Sequence, residues 1–332
     1  MHSSIYKESN TYVELLTLSK DPKFSLDSIS NESIGFVKDG KHYKTNLTET
    51  VNYICIKPHS LIIYTNDDEE PRDITSINII INGCNVIHAP YSILQNFGKY
   101  TKTTDAYILK LNFSMFIDYL PIKIISPIKN IMSISVNDTS NVTNIQLIYS
   151  GIKYADENKR KLTIYGDYLS MQTCETNTIA RSIPQIFIKQ RLSINHISKG
   201  LFIESDISKI AEISINVGGY SYIRYTGPII TAICNVYSDY LFYLPFNEGE
   251  ITTSRASSFS GALLPAKYNN IEIEILFTEP TNLVIIHSLC FNVFSFKSQS
   301  FNVIYRCKSD RPHTLLLDDP DATNPTGKFN WN

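Results

Sequence analysis

The amino-acid sequence predicts an all-β protein that consists of two copies of one β-domain. Two observations support this prediction: residues that favour strands dominate the chain, and one pattern of apolar, glycine and proline residues occurs twice. The 332 residues include 21 Tyr and 16 Phe, and about one residue in seven is Ile, far above average usage. β-Branched and aromatic side chains of this kind fit the pleated surface of a sheet.

Strands are predicted where apolar and polar residues alternate, because successive side chains of a strand point to opposite faces of the sheet. The alternation is regular at 77–81, 133–136, 213–217 and 271–275. In the last of these segments Glu272 and Glu274 separate three Ile residues, which predicts one buried and one solvated face. Helical signals are confined to 91–97 and 205–211, each sufficient for a turn or two. We therefore expect short strands and little helix.

A pattern of three sequence blocks recurs at an offset near 136 residues. The blocks at 74–87, 107–113 and 127–136 return in the same order at 210–223, 240–246 and 265–275. The first block includes Gly83 and its match Gly219, which strengthens the case for an internal duplication. The period is far too long for a solenoid repeat or a propeller blade, so it indicates two copies of a whole domain. About eight strands in about 140 residues suit a sandwich or jelly roll.

The duplication predicts three parts of the chain. Residues 1–181 form an N-terminal unit with an N-terminal extension, residues 182–307 form a C-terminal unit, and residues 308–332 form a polar tail. We expect a linker at 175–185, stiffened by Pro184. The tail ends in Phe329 and the only tryptophan, Trp331. Such a tail is a candidate assembly arm whose aromatic residues dock in a groove of a neighbour; a disordered tail is the alternative.

Composition argues against several functional classes. The chain has 30 basic and 32 acidic residues and a net charge of −2, whereas a dedicated nucleic-acid-binding protein normally carries a basic surplus. Charged residues make up only 19%, which suits a surface for repeated protein contacts because desolvating charges is costly. No segment has the length of a membrane-spanning helix, and the N-terminus lacks the features of a signal peptide.

No pattern in the sequence indicates catalysis or metal binding. The seven His residues include no His-x-His pair, which a cupin-type metal site would need, and nucleophile-elbow and phosphate-loop motifs are absent. We predict that the protein is not an enzyme and has no catalytic, cofactor-binding or metal-binding residues and no cofactor. The six cysteines lack a Cys-x-x-Cys pair, which predicts reduced and mostly buried thiols.

Two charged segments have simple interpretations. The acidic run at 67–70 lacks the spacing and the glycine turn of a calcium loop, and it predicts a solvated loop. Lys189 and Arg191 flank the start of the second copy and could face nucleic acid or an internal membrane, although two charges are a weak signal.

Several motifs resemble those of the double jelly-roll capsid proteins of nucleocytoplasmic large DNA viruses, a lineage that includes iridoviruses, phycodnaviruses, mimivirus relatives and the poxvirus scaffold. The second half is the more similar, and its first matching motif comprises Asn195, His196, Lys199, Leu201 and Phe202. Further matches are a strand at 213–219, an aromatic strand ending in Pro-Phe at 240–246, a Ser-Gly-x-Leu loop at 260–263 and a strand at 292–296. In the first half, 79–87 and the Leu-Pro or Ser-Pro pair at 120–121 or 126–127 match more loosely. His196 is singled out only by this resemblance. The alternative interpretation is that His196 has a structural role at the start of a strand.

The resemblance implies two tandem eight-stranded antiparallel jelly rolls, a double jelly roll with short loops and little helix. It implies a structural virion protein that forms homotrimers of pseudo-hexagonal outline, which tile an icosahedral or membrane-supporting shell. The implied partners are further copies of the chain, neighbouring capsid subunits, minor capsid proteins and an internal viral membrane, without specific nucleic-acid binding. The implied location is the virion capsid, after synthesis and assembly in the host cytoplasm. The resemblance leaves open a major capsid, minor capsid or scaffold role.

A second functional class stays open at this point. A tandem β-sandwich could instead be a binding module, such as a viral protein that recognises glycans or a receptor. The chain is also short for two jelly rolls, so the external towers formed by long loops in larger relatives should be small or missing.

Overall fold

The computed structural model describes residues 30–47, 55–81, 83–96, 98, 100–111, 113, 116, 120–121, 130–152, 168–246, 263, 270–295 and 302–303. Most of these residues lie in antiparallel strands, which confirms the all-β prediction. The predicted N-terminal extension before residue 30, the starts of the third repeat block at 127–129 and 265–267, and the predicted C-terminal arm lie outside the described residues.

We call β1–β11 together with helix α1 the first lobe, and β12–β19 together with helix α2 the second lobe. The strands of the first lobe are β1 (Ser30–Gly35), β2 (Val37–Asp39), β3 (His42–Asn46), β4 (Cys55–Thr65), β5 (Ile74–Ile81), β6 (Cys84–Pro90), β7 (Tyr100–Lys102), β8 (Tyr107–Lys110), β9 (Leu120–Pro121), β10 (Asn130–Val136) and β11 (Val142–Ile152), with α1 at Tyr91–Asn96. Those of the second lobe are β12 (Tyr168–Arg191), β13 (Ile197–Glu204), β14 (Ile210–Val217), β15 (Tyr220–Thr226), β16 (Asn235–Ser238), β17 (Leu241–Pro245), β18 (Ile271–Ser295) and β19 (Asn302–Val303), with a 3₁₀ turn at Ile207–Lys209 and α2 at Gly227–Ile233.

The first lobe has two sheets. One has the strand order β1-β11-β4-β8-β7, with β9 also paired to β4, and the other has the order β2-β3-β10-β5-β6. The alternating Ile residues of β5 provide part of the apolar core: Ile77, Ile79 and Ile81 are fully buried. They belong to a cluster that also contains Leu61 of β4 and Leu147 of β11. The period-2 pattern in the sequence therefore marks the core-facing side of these strands.

The second lobe has the same layout, except that one long strand, β18, belongs to both halves and joins them into a single sheet. Residues 271–277 of β18 pair with β14, and residues 285–291 pair with β13. β12 follows β18 along most of its length, from the Tyr168–Ser295 pair to the Arg191–Glu272 pair. The resulting path is β15-β14-β18-β13-β17-β16, with β12 on the other edge of β18.

These long strands correct two expectations. Strands β12 and β18 have 24 and 25 residues, so the expectation of uniformly short strands is wrong. The segment 175–185, expected to be a linker, lies inside β12, and the predicted division between residues 181 and 182 falls within that strand. Pro184 does not end the strand because the pairing register of β12 with β18 shifts between Ala180 and Gln185. A strand tolerates proline at such an irregularity or at a sheet edge.

The two lobes repeat each other element by element. β5, β6 and α1 of the first lobe have counterparts in β14, β15 and α2 at the predicted offset near 136 residues. The helical turn predicted at 91–97 is α1, and the turn predicted at 205–211 is the short 3₁₀ turn. Helix α2 was not predicted, because its run of Ile residues suggests a strand. It begins at Gly227-Pro228, and proline is favourable in a first helical turn because its missing N–H has no partner there anyway.

A substitution at Gly200 tests how closely the second lobe is packed. A Cβ atom at this position would lie 2.5 Å from the Leu244 carbonyl oxygen and 2.5 Å from the Tyr243 hydroxyl. We expect Gly200→Ala to lower the free energy of unfolding by about 1–3 kcal/mol, the usual cost of overpacking. Urea unfolding followed by circular dichroism measures this effect. Gly35→Ala is the matched control, since a Cβ there meets nothing within 4 Å, and an equal loss of stability in both variants would contradict the prediction.

Candidate functional site

The joint between the two lobes is closely packed. Five buried residues of the second lobe, Cys174, Phe202, Leu241, Tyr243 and Leu289, belong to the same apolar cluster as the core of the first lobe. Two hydrogen bonds from backbone N–H groups cross the joint: His88 N–H donates to the Thr173 side chain at Oγ1 at 2.9 Å, and Gln172 N–H donates to the Phe116 carbonyl at 2.9 Å. The lobes therefore share a core.

A polar network also crosses the joint. Ser92 of α1 donates a hydrogen bond from its hydroxyl to Oε1 of Glu204 on β13. The same Oε1 lies 2.6 Å from Nε2 of His287 on β18, and His287 Nδ1 lies 2.8 Å from Thr176 Oγ1 on β12. Burial raises the pKa of Glu204, but the hydrogen bonds from His287 and Ser92 outweigh it and hold that pKa below its usual value. The network fixes α1 to three strands of the second lobe.

A second imidazole lies beside this network. The Nδ1 atom of His88 is 2.7 Å from Asn78 Oδ1. Burial lowers the pKa of His88, and the nearby His287 lowers it further. The charged form of His88 is therefore disfavoured in the folded protein.

The motif that carries the family resemblance anchors the start of β13. His196 Nδ1 lies 2.6 Å from Glu175 Oε1, and the Asn195 N–H donates to Glu175 Oε2 at 2.6 Å. Lys199 is only 2% exposed, and its ammonium lies 5.2 Å from the centre of the Phe291 ring. Burial lowers the pKa of Lys199 to about 8. These contacts give His196 the structural role that was its alternative interpretation.

The second lobe presents an apolar surface to solvent. We define the α2 face as Tyr220 and Tyr222 of β15, Ile229 and Ile233 of α2 and Val236 of β16. Their exposed fractions range from 39% to 82%. Among the described residues, every large apolar side chain that is exposed lies on the second lobe except Val37. Exposed apolar residues on neighbouring elements make this face the candidate interaction surface of the second lobe.

The charged segments singled out in the sequence are already paired. Lys189 lies 2.8 Å from Glu274 and 3.1 Å from Glu272, so the idea that it is free to face nucleic acid or a membrane is not supported. The acidic run at 67–70 forms bends, as expected for a loop, and Arg72 forms ion pairs with Asp67 and Glu69.

The described part of the chain contains no group of three His, Cys, Asp or Glu residues arranged to hold a metal ion. Of the cysteines whose side chains are described, Cys174, Cys234 and Cys290 are buried free thiols, and Cys84 is an exposed one. Neither helix in the described ranges has the length and apolar character needed to cross a membrane.

Solved structures with the same architecture identify the fold. No protein-family model and no curated protein matches the chain. The chain is similar to VP54 of PBCV-1, in a structure fitted into a cryo-EM reconstruction of the virophage Sputnik, with a TM-score of 0.61, 10% identity and coverage of 84% of this chain and 97% of the other. The chain has the double jelly-roll fold of viral capsid proteins.

Two further structures agree with this assignment. A quasi-atomic model of the PBCV-1 virus capsid gives a TM-score of 0.61 at 9% identity, with coverage of 84% of this chain and 97% of the other. The major capsid protein P2 from bacteriophage PM2 gives a TM-score of 0.50 at 9% identity, with coverage of 81% and 99%. The double jelly roll inferred from the duplication and the resemblance is thus confirmed.

The sequence did not reveal the polar network or the α2 face. Glu204, His287 and Ser92 are far apart in the chain, and each has an ordinary sequence environment. One signal for the α2 face was present: the repeat aligns Val86 and Ile93 with Tyr222 and Ile229. The first pair is fully buried and the second is about half exposed.

The lowered pKa of His88 predicts a pH dependence of stability. The unfolded chain gains a proton near pH 6.5 before the folded chain does, so the free energy of unfolding should fall as the pH drops below that value. His88→Gln keeps a hydrogen-bond donor for Asn78 but cannot titrate. We expect a smaller loss of stability between pH 7.5 and 5 in the variant than in the parent, measured by urea unfolding at both pH values. Parallel losses would show that His88 does not contribute.

Proposed function

We propose that this protein is a structural virion protein, a capsid subunit or capsid-like scaffold subunit, and not an enzyme. The single observation that carries the proposal is the likeness to capsid proteins, which spans both lobes and 84% of the chain. The joint supports it as well, because a shell subunit needs a fixed angle between its lobes. Here a shared core and a polar network provide that rigidity.

The proposed assembly is a homotrimer of pseudo-hexagonal outline. Three chains contribute six similar lobes, and a ring of identical chains closes by cyclic symmetry. Such trimers would tile an icosahedral or membrane-supporting shell through contacts with neighbouring capsid subunits and minor capsid proteins. A specific contact of this kind buries more than about 1,000 Å², and the α2 face provides exposed apolar surface for it.

The remaining parts of the proposal concern location and chain organisation. The protein would be made and assembled in the host cytoplasm and would reside in the virion capsid, where an internal viral membrane is a further partner and nucleic acid is not specifically bound. The predicted units 1–181 and 182–307 would be the two jelly rolls, with their boundary moved to a point before β12, which belongs to the second lobe, and residues 308–332 would be an assembly arm.

Oligomeric state tests the proposal. We expect the purified 332-residue chain to have three times the monomer mass of 37.8 kDa by light scattering, at micromolar concentration and after tenfold dilution. Negative-stain images should show a hexagonal outline. A monomer that binds glycans on an array would refute the proposal and favour the alternative, a tandem β-sandwich binding module.

Truncation tests the assembly arm. Removal of residues 308–332 should leave the trimer intact, because the joint and the α2 face lie elsewhere in the chain. It should reduce the formation of larger assemblies at least several-fold, as measured by light scattering and electron microscopy at high protein concentration. Ser substitution of Phe329 and Trp331 in the full-length chain should reproduce this loss. Unchanged higher-order assembly in both variants would rule out an arm.

A further inference from the structure

The α2 face has a counterpart in the first lobe that is already covered. Ile93 of α1 and Val86 of β6 are fully buried, and their repeat counterparts Ile229 and Tyr222 are each 49% exposed. The cover on the first lobe is the second lobe itself, which reaches α1 through Glu204. The chain therefore contains one example of how this face is covered.

The strand registers show which residues of the first lobe correspond to the surface that receives α1. In the second lobe Ile203 of β13 pairs with Phe242 of β17 and with Ile286 of β18. In the first lobe Leu61 of β4 pairs in the same way with Leu109 of β8 and with Leu147 of β11. All six side chains are fully buried. The repeat, which matches 107–113 with 240–246, places Leu109 on Phe242 and so supports this alignment of the two sheets.

The polar network of the joint has apolar counterparts in this alignment. The residue after Leu61 is Ile62, which matches Glu204, and the residue after Leu147 is Ile148, which matches His287. The offset between the helices matches Ser92 with Pro228. Ile62 and Ile148 are partly exposed and lie on the side of their sheet that faces away from the core.

We infer that the α2 face of one copy docks on the outer face of β4 and β11 of a second copy, with Pro228 opposite Ile62 and Ile148. This inference rests on the proposed self-assembly and specifies its contact. Each chain then offers one α2 face and one receiving face, so the contact is head-to-tail, and in the proposed trimer three such contacts close a ring. The contact between copies is apolar at the three positions where the joint within a chain is polar.

Because the two contacts differ in polarity, each helix fits only one of the two receiving surfaces. An α1 helix placed on the outer face of β4 and β11 would bury the Ser92 hydroxyl against Ile62 with no acceptor. An α2 helix placed on β13 and β18 would put Pro228 against Glu204, which would lose the hydrogen bond from Ser92 and keep only His287 as a partner. Each exchange removes a hydrogen bond from a buried polar group, which is costly. Specificity of this kind depends on the penalty for the wrong pair as well as on the gain from the right one.

Cross-linking between copies tests the contact. A variant that combines Pro228→Cys with Ile62→Cys, in a Cys84→Ser background to remove the exposed native thiol, is treated with a short bismaleimide. We expect covalent dimers and trimers on a denaturing gel, at least tenfold above the Cys84→Ser parent. The control combines Pro228→Cys with Val37→Cys. Val37 is 73% exposed on the other sheet of the first lobe, and this pair should stay at the parent level.

The outcomes separate the inference from the proposed function. Trimers by light scattering with no cross-linking above the control would overturn the docking geometry and leave the capsid proposal intact. A parent chain that is monomeric by light scattering would overturn both. A second variant, Ile229→Asp, should weaken the trimer at least tenfold while keeping its circular dichroism spectrum, whereas Val37→Asp should leave the trimer unchanged. An unaffected Ile229→Asp trimer would also overturn the inference.

Discussion

The pairing of β12 with β18 is the interaction on which the rest of the structure depends. β18 belongs to both halves of the second lobe, because it pairs with β14 through residues 271–277 and with β13 through residues 285–291. β12 follows β18 along most of its length. The same two strands place Thr176 and His287 at the joint with the first lobe. A ladder of backbone hydrogen bonds, interrupted only by the register shifts between Ala180 and Phe187, therefore links the core of the second lobe to the surface that holds α1.

The first lobe divides the same path among shorter strands. β10 and β11 occupy the places of the two halves of β18, and the chain turns between Val136 and Val142. The continuity of β18 also means that a displacement at the joint acts directly on the core of the second lobe. In a double jelly roll whose lobes must keep a fixed angle, this arrangement couples the stability of one lobe to its contact with the other.

The sequence predicted the features that depend on local pattern. Alternating Ile residues in β5, β14 and β18 revealed the strands, and the repeated blocks revealed two copies of one fold, since both signals come from residues close together in the chain. The length of β12 was missed because Pro184 normally interrupts a strand; here it coincides with a register shift that removes the conflict. Helix α2 was missed because Ile229, Ile230 and Ile233 have the β-branched character of a strand, and the proline at its start decides otherwise.

The joint could not be predicted because it depends on tertiary contacts. Ser92 and Glu204 are 112 positions apart, and Glu204 and His287 are 83 apart, so no local pattern connects them. Comparing the two copies of the repeat gives more information than reading either one alone. Where both copies retain an apolar residue, as at Leu61 and Ile203, the position serves the core of each lobe.

Positions at which the copies differ in polarity serve a contact that the two lobes do not share. A duplicated fold starts with two identical faces and two identical receiving surfaces, so each helix could initially occupy either surface. Two sets of residues remove this ambiguity: Ser92, Glu204 and His287 on one side, and Pro228, Ile62 and Ile148 on the other. Exchanging the partners would bury the Ser92 hydroxyl without an acceptor and would take one hydrogen bond from the Glu204 carboxylate, and both changes are unfavourable. The polar set suits a contact formed once, during folding of the chain. The apolar set suits a surface that stays solvated until a second copy arrives, since it needs no geometric match of donors and acceptors before association.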